Sequence, residues 1–348
     1  MENSNHGPAV SPESIMQIGL GFWPSKILLT AIKVGLFTQL AEKQKMTGTE
    51  IKSHYHFNCS ERHVFDFLDT LTTFGFLKRE GLLETAHYSN NDNTNFFLDK
   101  NKPSYIGGIL EMANNRLYGF WGNLEQGLLT GLPQNEAKEG INLFEVLYSS
   151  QERLAEFMKA MSGIQMGNFI TFSKSFDFSK YTTLVDAGGA SGILSIMVAM
   201  NQAHMTCTSY DLPQVEPIAQ ANINHFQLSS KVKTASGDFF KDPIPKADVI
   251  TMGNILHDWD EENKIKLIKK VYEALPEGGA FVAIENIIDE DRNKNAFGLM
   301  MSLNMLIETG KGFDYTFSDF NKWVKIAGFN STSIVPLTGP TSAAIAYK

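Results

Sequence analysis

The 348 residues contain two cysteines, Cys59 and Cys207, too few for a disulfide framework, so a reducing compartment is expected. No run of about 18 uncharged apolar residues occurs, and no membrane span is expected. Residues 1–14 are polar and lack the basic and apolar regions of a signal peptide, which together with the cysteine count predicts a cytoplasmic protein. A basic excess is missing as well. The formal net charge of −8, from 30 Lys and Arg against 38 Asp and Glu, argues against general binding of nucleic acid or anionic membrane. The Gly-Lys-Ser/Thr sequence of phosphate-binding loops is absent, which weighs against ATP. What is present is an ordinary globular composition, 43% hydrophobic and 20% charged, in a chain long enough for two domains.

Residues 1–110 read as helices with one short β element. Leu28, Leu29, Ile32, Leu36 and Leu40 put an apolar stripe on a helix predicted from about Pro24 to Glu42. Thr47 and Glu50 have the spacing of a capping box. Ser60 opens another helix with Val64, Phe65, Leu68 and Leu71 on its buried side, and Gly75 to Tyr88 reads as a hairpin. Helices followed by a hairpin give the pattern of a winged helix. With 10 Lys and Arg against 11 Asp and Glu in this region, phosphate neutralisation is poorly served, and dimerisation is the better use than DNA binding. His54, His56, Cys59 and His63 match no common zinc spacing, and no metal is expected. Residues 111–175 read as linking helices, with a loop over 131–140 and a helix from about Gln151. From 176 the texture changes to short apolar strands alternating with helices, which predicts an α/β domain with a mostly parallel sheet and helices on both faces.

The strongest local signal runs from Leu184 to Gly192: an apolar strand ending in Asp186, a turn containing Gly188 and Gly189, then a helix near Ile193. Glycine lets a backbone turn tightly and approach a ligand closely. A second strand ends in Asp211, 22 positions beyond Gly189, where an acid can accept both hydroxyls of a ribose; the alternative is an N-cap for the helix that follows. Asp238 supplies a third acid, suited to an exocyclic amine, beside Phe239 and Phe240 as faces for adenine. An adenosine site without phosphate recognition, carrying an amino acid instead, suits S-adenosylmethionine. A further strand leads to His257, at the edge of a parallel sheet where ligands of such folds sit, and Glu285 ends the next strand. A carboxylate accepting one ring N–H would fix the tautomer of a histidine that takes a proton from a hydroxyl.

These segments, with Tyr210-Asp-Leu-Pro213, Leu256-His-Asp-Trp259 and Ala274-Leu-Pro-Glu-Gly-Gly279, fall in an order that resembles the S-adenosylmethionine-dependent O-methyltransferases of the caffeic acid and acetylserotonin (hydroxyindole) type. The resemblance implies a Rossmann-like class I methyltransferase domain over 176–348, preceded by a mainly helical, winged-helix-like dimerisation domain. It implies Gly188, Asp211, Asp238, Phe239 and Phe240 in the cofactor site, Tyr148 near the methionine end, and His257 as proton acceptor with Glu285 as one flanking acid. The second flanking acid is commonly a Glu, and here Asp314 stands in with a shorter reach. Asn254 takes the place of a basic residue often found before the histidine. A homodimer is implied too, with Phe22 and Trp23 reaching the partner's pocket. Acceptor contacts are expected from Met161 and from Met301, Asn304 and Glu308, the last two four apart on one helix face; core packing is the alternative for the apolar ones. The resulting expectation is methyl transfer to a hydroxyl of a small, aromatic molecule, without metal. The alternatives are S- or N-methylation, a relative that binds the cofactor without methylating, or a winged-helix ligand sensor.

Overall fold

The computed structural model describes residues 10–136, 148 and 150–348, and it divides into two compact units, 1–115 and 116–348. In the first unit the predicted helix from Pro24 to Glu42 is two helices, Phe22–Lys33 and Leu36–Lys43. Gly35 separates them with φ +77°, a conformation that breaks the helical path and that glycine adopts without penalty. The capping box at Thr47 is formed: its hydroxyl accepts from the Glu50 N–H at 3.2 Å, and the Glu50 carboxylate accepts from the Thr47 N–H at 2.7 Å. Ser60 caps the helix Glu61–Thr73, whose Val64, Phe65, Leu68 and Leu71 are buried at the predicted spacing. Strands β1 (Met46–Thr47), β2 (Leu77–Glu80) and β3 (His87–Asn90) form a small antiparallel sheet in the order β1-β3-β2. The core gathers Ile32, Phe37, Leu40, Ile51, Leu68 and Tyr88.

Ile15, Ile18, Phe22 and Trp23 are exposed in this unit. Among the described residues, Glu13–Lys33 is the one helical stretch long and apolar enough to cross a membrane by length and composition; it is interrupted between Gly19 and Phe22 and carries Lys26 and Lys33.

The second unit is built on a seven-stranded sheet: β4 (Thr183–Ala187), β5 (Thr206–Asp211), β6 (Val232–Ser236), β7 (Val249–Gly253), β8 (Ala280–Glu285), β9 (Ser331–Pro336) and β10 (Ser342–Tyr347). Their order is β6-β5-β4-β7-β8-β10-β9, parallel as far as β8, with β10 antiparallel to both β8 and β9. Strand β6 was not legible in the sequence, since Lys233 and two threonine or serine positions dilute its apolar character. Every residue of β8 is buried, and its side chains alternate between two cores: Phe281 and Ala283 on one face, Ala280, Val282 and Ile284 on the other. Helices cover both faces, including Gln151–Ser175 and Ile193–Asn201 on one side, Glu261–Ala274 and Phe317–Ala327 on the other. Strand order reverses between β4 and β7, so the loops after these neighbours diverge and leave a crevice at their carboxyl ends. Residues 137–140 of the predicted loop lie outside the described residues.

Candidate active site

The glycine turn after β4 is shaped by its neighbours. Gly188 has φ +78°, and a Cβ there would lie 2.3 Å from the Ile255 side chain. The N–H groups of Gly188 and Gly189 both donate to the Tyr210 carbonyl, at 2.8 and 3.2 Å, which folds the turn back onto β5. Asp211 closes it: one carboxylate oxygen accepts from the Ala190 N–H at 2.8 Å, the other from the Leu212 N–H at 2.7 Å. The following helix begins at Glu216 with Val215 at its N-cap position, so Asp211 does not cap it.

Beyond this turn lies a cavity of about 1160 Å³, its open mouth included. Its wall includes Asp186, Gly188, Asp211 and Asn254, the aromatic residues Phe239, Phe240 and Trp259, and Tyr148 and Met161. The three aromatic residues meet edge to face, with Phe240 and Trp259 centroids 4.6 Å apart. Burial pushes the Asp186 carboxyl up to about 7, against the hydrogen bond it accepts from the Thr251 hydroxyl at 2.7 Å, and the charge of Asp211 adds to the rise. Asp211 itself rises to about 6, also through burial. Two desolvated carboxylates in one cavity favour a cationic ligand, whose charge would draw both back down. The Asn254 side-chain oxygen is buried without a hydrogen-bond partner, and its backbone has φ +53°. Asp238 also lines the cavity, but its carboxylate accepts from the Phe240 N–H at 2.9 Å and pairs with Lys241 at 3.0 Å. Burial would raise it; those contacts hold it below the usual range. The Tyr148 hydroxyl is pushed up by burial and by the charges of Asp211 and Asp258.

His257 sits in a single 3-10 turn, Leu256–Asp258, just after β7, and is 4% exposed. Its Nδ1 is 3.4 Å from an Asp314 oxygen and its Nε2 is 3.6 Å from an Asp258 oxygen. Burial disfavours the imidazolium, yet Asp314, Asp258 and then Glu285 more than offset that and raise the ring well above its ordinary value. Glu285 reaches this turn but not through the ring. Its Oε1 accepts from three consecutive backbone N–H groups, Ile255 at 3.1 Å, Leu256 at 2.7 Å and His257 at 3.2 Å. The acids flanking the imidazole are therefore Asp314 and Asp258, while Glu285 fixes the backbone that carries it. Asp258, not His257, is the member of this cluster that lines the cavity.

The acceptor residues expected on the helix Ala296–Glu308 are placed differently. Met301, Asn304 and Glu308 do not line this cavity. Asn304 accepts from the Trp121 indole N–H at 2.9 Å, and its amide nitrogen is 3.9 Å from the Met301 sulfur. Glu308 is buried against Arg116 at 3.2 Å, whose guanidinium also binds Glu136 in a fork at 3.1 and 2.9 Å. In this structure Asn304 and Glu308 therefore also tie their helix to other segments of the protein; a helix-face pattern does not tell which partner an inward polar group meets. Sequence reasoning missed Lys264. The signal was there: it shares the i, i+3, i+4, i+7 stripe with buried Leu267, Ile268 and Val271. Among the described residues no group of three or more His, Cys, Asp or Glu side chains is placed to hold a metal ion.

Comparison with known proteins gives concordant results. The family model of the O-methyltransferase domain matches residues 121–330, and that of the O-methyltransferase dimerisation domain matches 16–100. The tetracenomycin polyketide synthesis 8-O-methyl transferase of Streptomyces glaucescens is 33% identical over 99% of this chain and 98% of its own. Acetylserotonin O-methyltransferase of Gallus gallus is 29% identical over 93% of each. The crystal structure of the human N-acetylserotonin methyltransferase in complex with S-adenosylmethionine superposes with a TM-score of 0.89 at 26% identity, covering 100% of this chain and 99% of that one.

Proposed function

Since this chain belongs to the O-methyltransferase family, we propose that it moves the methyl group of S-adenosylmethionine to a hydroxyl of a small aromatic molecule of the hydroxyindole or aromatic polyketide kind. The observation that carries the reading is the meeting, at one sheet edge, of a cavity lined by carboxylates and aromatic rings and a buried histidine bracketed by acids. The residues present fit the cofactor. Gly188 leaves space that a Cβ would take, Asp211 stands at the end of β5 for the ribose, and Phe239, Phe240 and Trp259 supply aromatic faces. Asp186 and the unpartnered Asn254 oxygen offer acceptors to an ammonium.

When bound, S-adenosylmethionine supplies a methyl group on a sulfonium that an in-line oxygen can attack. The protein's task is to hold the acceptor oxygen in line, exclude water and take the acceptor's proton, which together account for most of the rate. A phenol of pKa about 10 gives up its proton as attack proceeds, to Nε2 of His257, with Asp314 steadying the ring through Nδ1. One observation favours a second arrangement. Asp258 lines the cavity and lies against Nε2, so its carboxylate can collect the proton with His257 as its partner. The dimerisation-domain match over 16–100 and the exposed Ile15, Ile18, Phe22 and Trp23 support a homodimer.

Calorimetric titration with S-adenosylhomocysteine, with NADH and ATP as controls, tests the cofactor. Binding at one site per chain, lost in Asp211→Ala, is expected; absence of binding to the folded protein would refute the reading. Screening phenol, thiol and amine acceptors then separates O- from S- and N-transfer. His257→Ala is expected to lower turnover of a hydroxyl acceptor by roughly 10²–10⁴-fold while leaving S-adenosylhomocysteine affinity within about threefold. If Asp258→Asn loses as much as His257→Ala, the two act as one proton acceptor.

A further inference from the structure

Lys264 has 0% of its surface exposed, in the first turn of the helix Glu261–Ala274. Lysine is almost never fully buried without compensation. Its ammonium donates to the Trp259 carbonyl and rests 3.4 Å from the centre of the Phe313 ring, with the rings of Trp323 and Tyr315 at 5.7 and 5.8 Å. An aromatic cage around one cation satisfies a charge that has lost its water. The cage stands between two regions of the active site. Trp259, whose carbonyl the amine holds, packs on Phe240 in the cavity wall. Phe313 and Tyr315 flank Asp314, whose carboxylate touches His257.

The surroundings of His257 are strongly negative. Asp258 follows it in the same turn, Glu285 reaches over from β8 and Asp314 from the segment before the helix Phe317–Ala327. Each of these carboxylates interacts electrostatically with Lys264, as do Asp260 and Glu261 on the lysine's own helix, and Glu261 is itself held by Lys322 at 2.7 Å. Burial pushes the Lys264 amine down to about 8, with the carboxylates resisting the fall. Among the described residues no direct ion pair fixes Lys264, so its charge acts on the cluster as a field.

We propose that Lys264 is a positioning residue whose caged ammonium balances the Asp258, Glu285 and Asp314 carboxylates around His257 and so sets the pH at which this cluster gives up its proton. The proposal rests on the reading of His257 and its acids as the proton-accepting group. Removing a positive charge from a coupled set of titrating sites makes the set as a whole hold protons more tightly, so its apparent pKa values rise.

The experiment is an NMR pH titration of full-length protein carrying ¹³C-lysine and ¹³C-histidine, with the His257 signals assigned by their loss in His257→Asn. In the wild type, one lysine is expected to titrate well below the others, and the His257 ring signals to inflect at that same pH. In Lys264→Met the shared inflection should vanish and the main titration of the cluster move up by about half a unit or more, roughly threefold in proton affinity. Lys264→Arg, which keeps the charge, should hold that titration near the wild-type position. A His257 titration unchanged within about 0.2 units in folded Lys264→Met would overturn the proposal. If Lys264→Met does not fold, the wild-type measurement decides alone: no low-titrating lysine, or no matching His257 inflection, refutes it. Because no turnover is read, failure of the proposed reaction, seen as activity retained in His257→Ala, is a separate result.

Discussion

At the scale of single residues, the unusual feature is how much charge is buried beside His257. Asp314 at Nδ1 and Asp258 at Nε2 raise the ring to about 10 from an ordinary 6.5. A base must be unprotonated to work, so in the free enzyme activity should climb with pH towards the alkaline range. Asp314→Asn removes a negative charge that favours the imidazolium, and the sign is therefore towards lower pH. The rising limb of kcat/KM against pH is expected to move about one unit to the acid side, a tenfold change in the unprotonated fraction on that limb. The same shift has a stability consequence. A ring whose folded pKa exceeds its unfolded one contributes stability that is complete below pH 6.5 and fades as pH rises through about 10. Chemical denaturation at pH 6 and pH 10 should show this contribution to stability shrinking in the wild type and absent in His257→Ala.

At the scale of elements, the sheet edge works through loops held by side chains of the neighbouring strand. Glu285 ends β8 and accepts three N–H groups from the turn after β7, so one carboxylate fixes the backbone that presents His257 and Asp258. Glu285→Ala leaves those donors without an acceptor in a buried position and is expected to cost about 3 kcal/mol of stability by urea denaturation, together with most of the activity. Glu285→Gln keeps an acceptor oxygen and should recover more than half of the lost stability. Equal losses in the two variants would show that the charge, not the hydrogen-bond acceptor, matters. Asp211 has the corresponding role at the glycine turn after β4, where it accepts from Ala190 and Leu212.

At the scale of the whole molecule, the exposed apolar residues of the first unit call for a partner surface. Ile15, Ile18, Phe22 and Trp23 lie within or beside the dimerisation-domain match, and leaving them in water costs what their burial would return. Trp23→Asp is expected to weaken self-association by tenfold or more in sedimentation-velocity analysis, as central aromatic anchors do. An unchanged sedimentation profile would remove Trp23 from the interface.

Much of the fold was legible because its signals are local. The capping box at Thr47, the helix opened by Ser60 and the strand Ala280–Glu285 each depend on residues adjacent along the chain. The glycine turn and Asp211 could be linked because a βαβ unit fixes the spacing between strand ends. Gly35 splits a helix that apolar periodicity alone continues, since φ +77° interrupts the path without disturbing the pattern. Tertiary structure decided what distance in sequence conceals. It gave Asn304 to Trp121 and Glu308 to Arg116. It set Glu285 on a backbone turn and Asp314 on the imidazole, and it enclosed Lys264 among three aromatic rings. A sequence states which groups carry charge and which face of a helix is buried; the partner of a buried charge is chosen by packing between elements far apart in the chain, where the low dielectric makes that choice decisive.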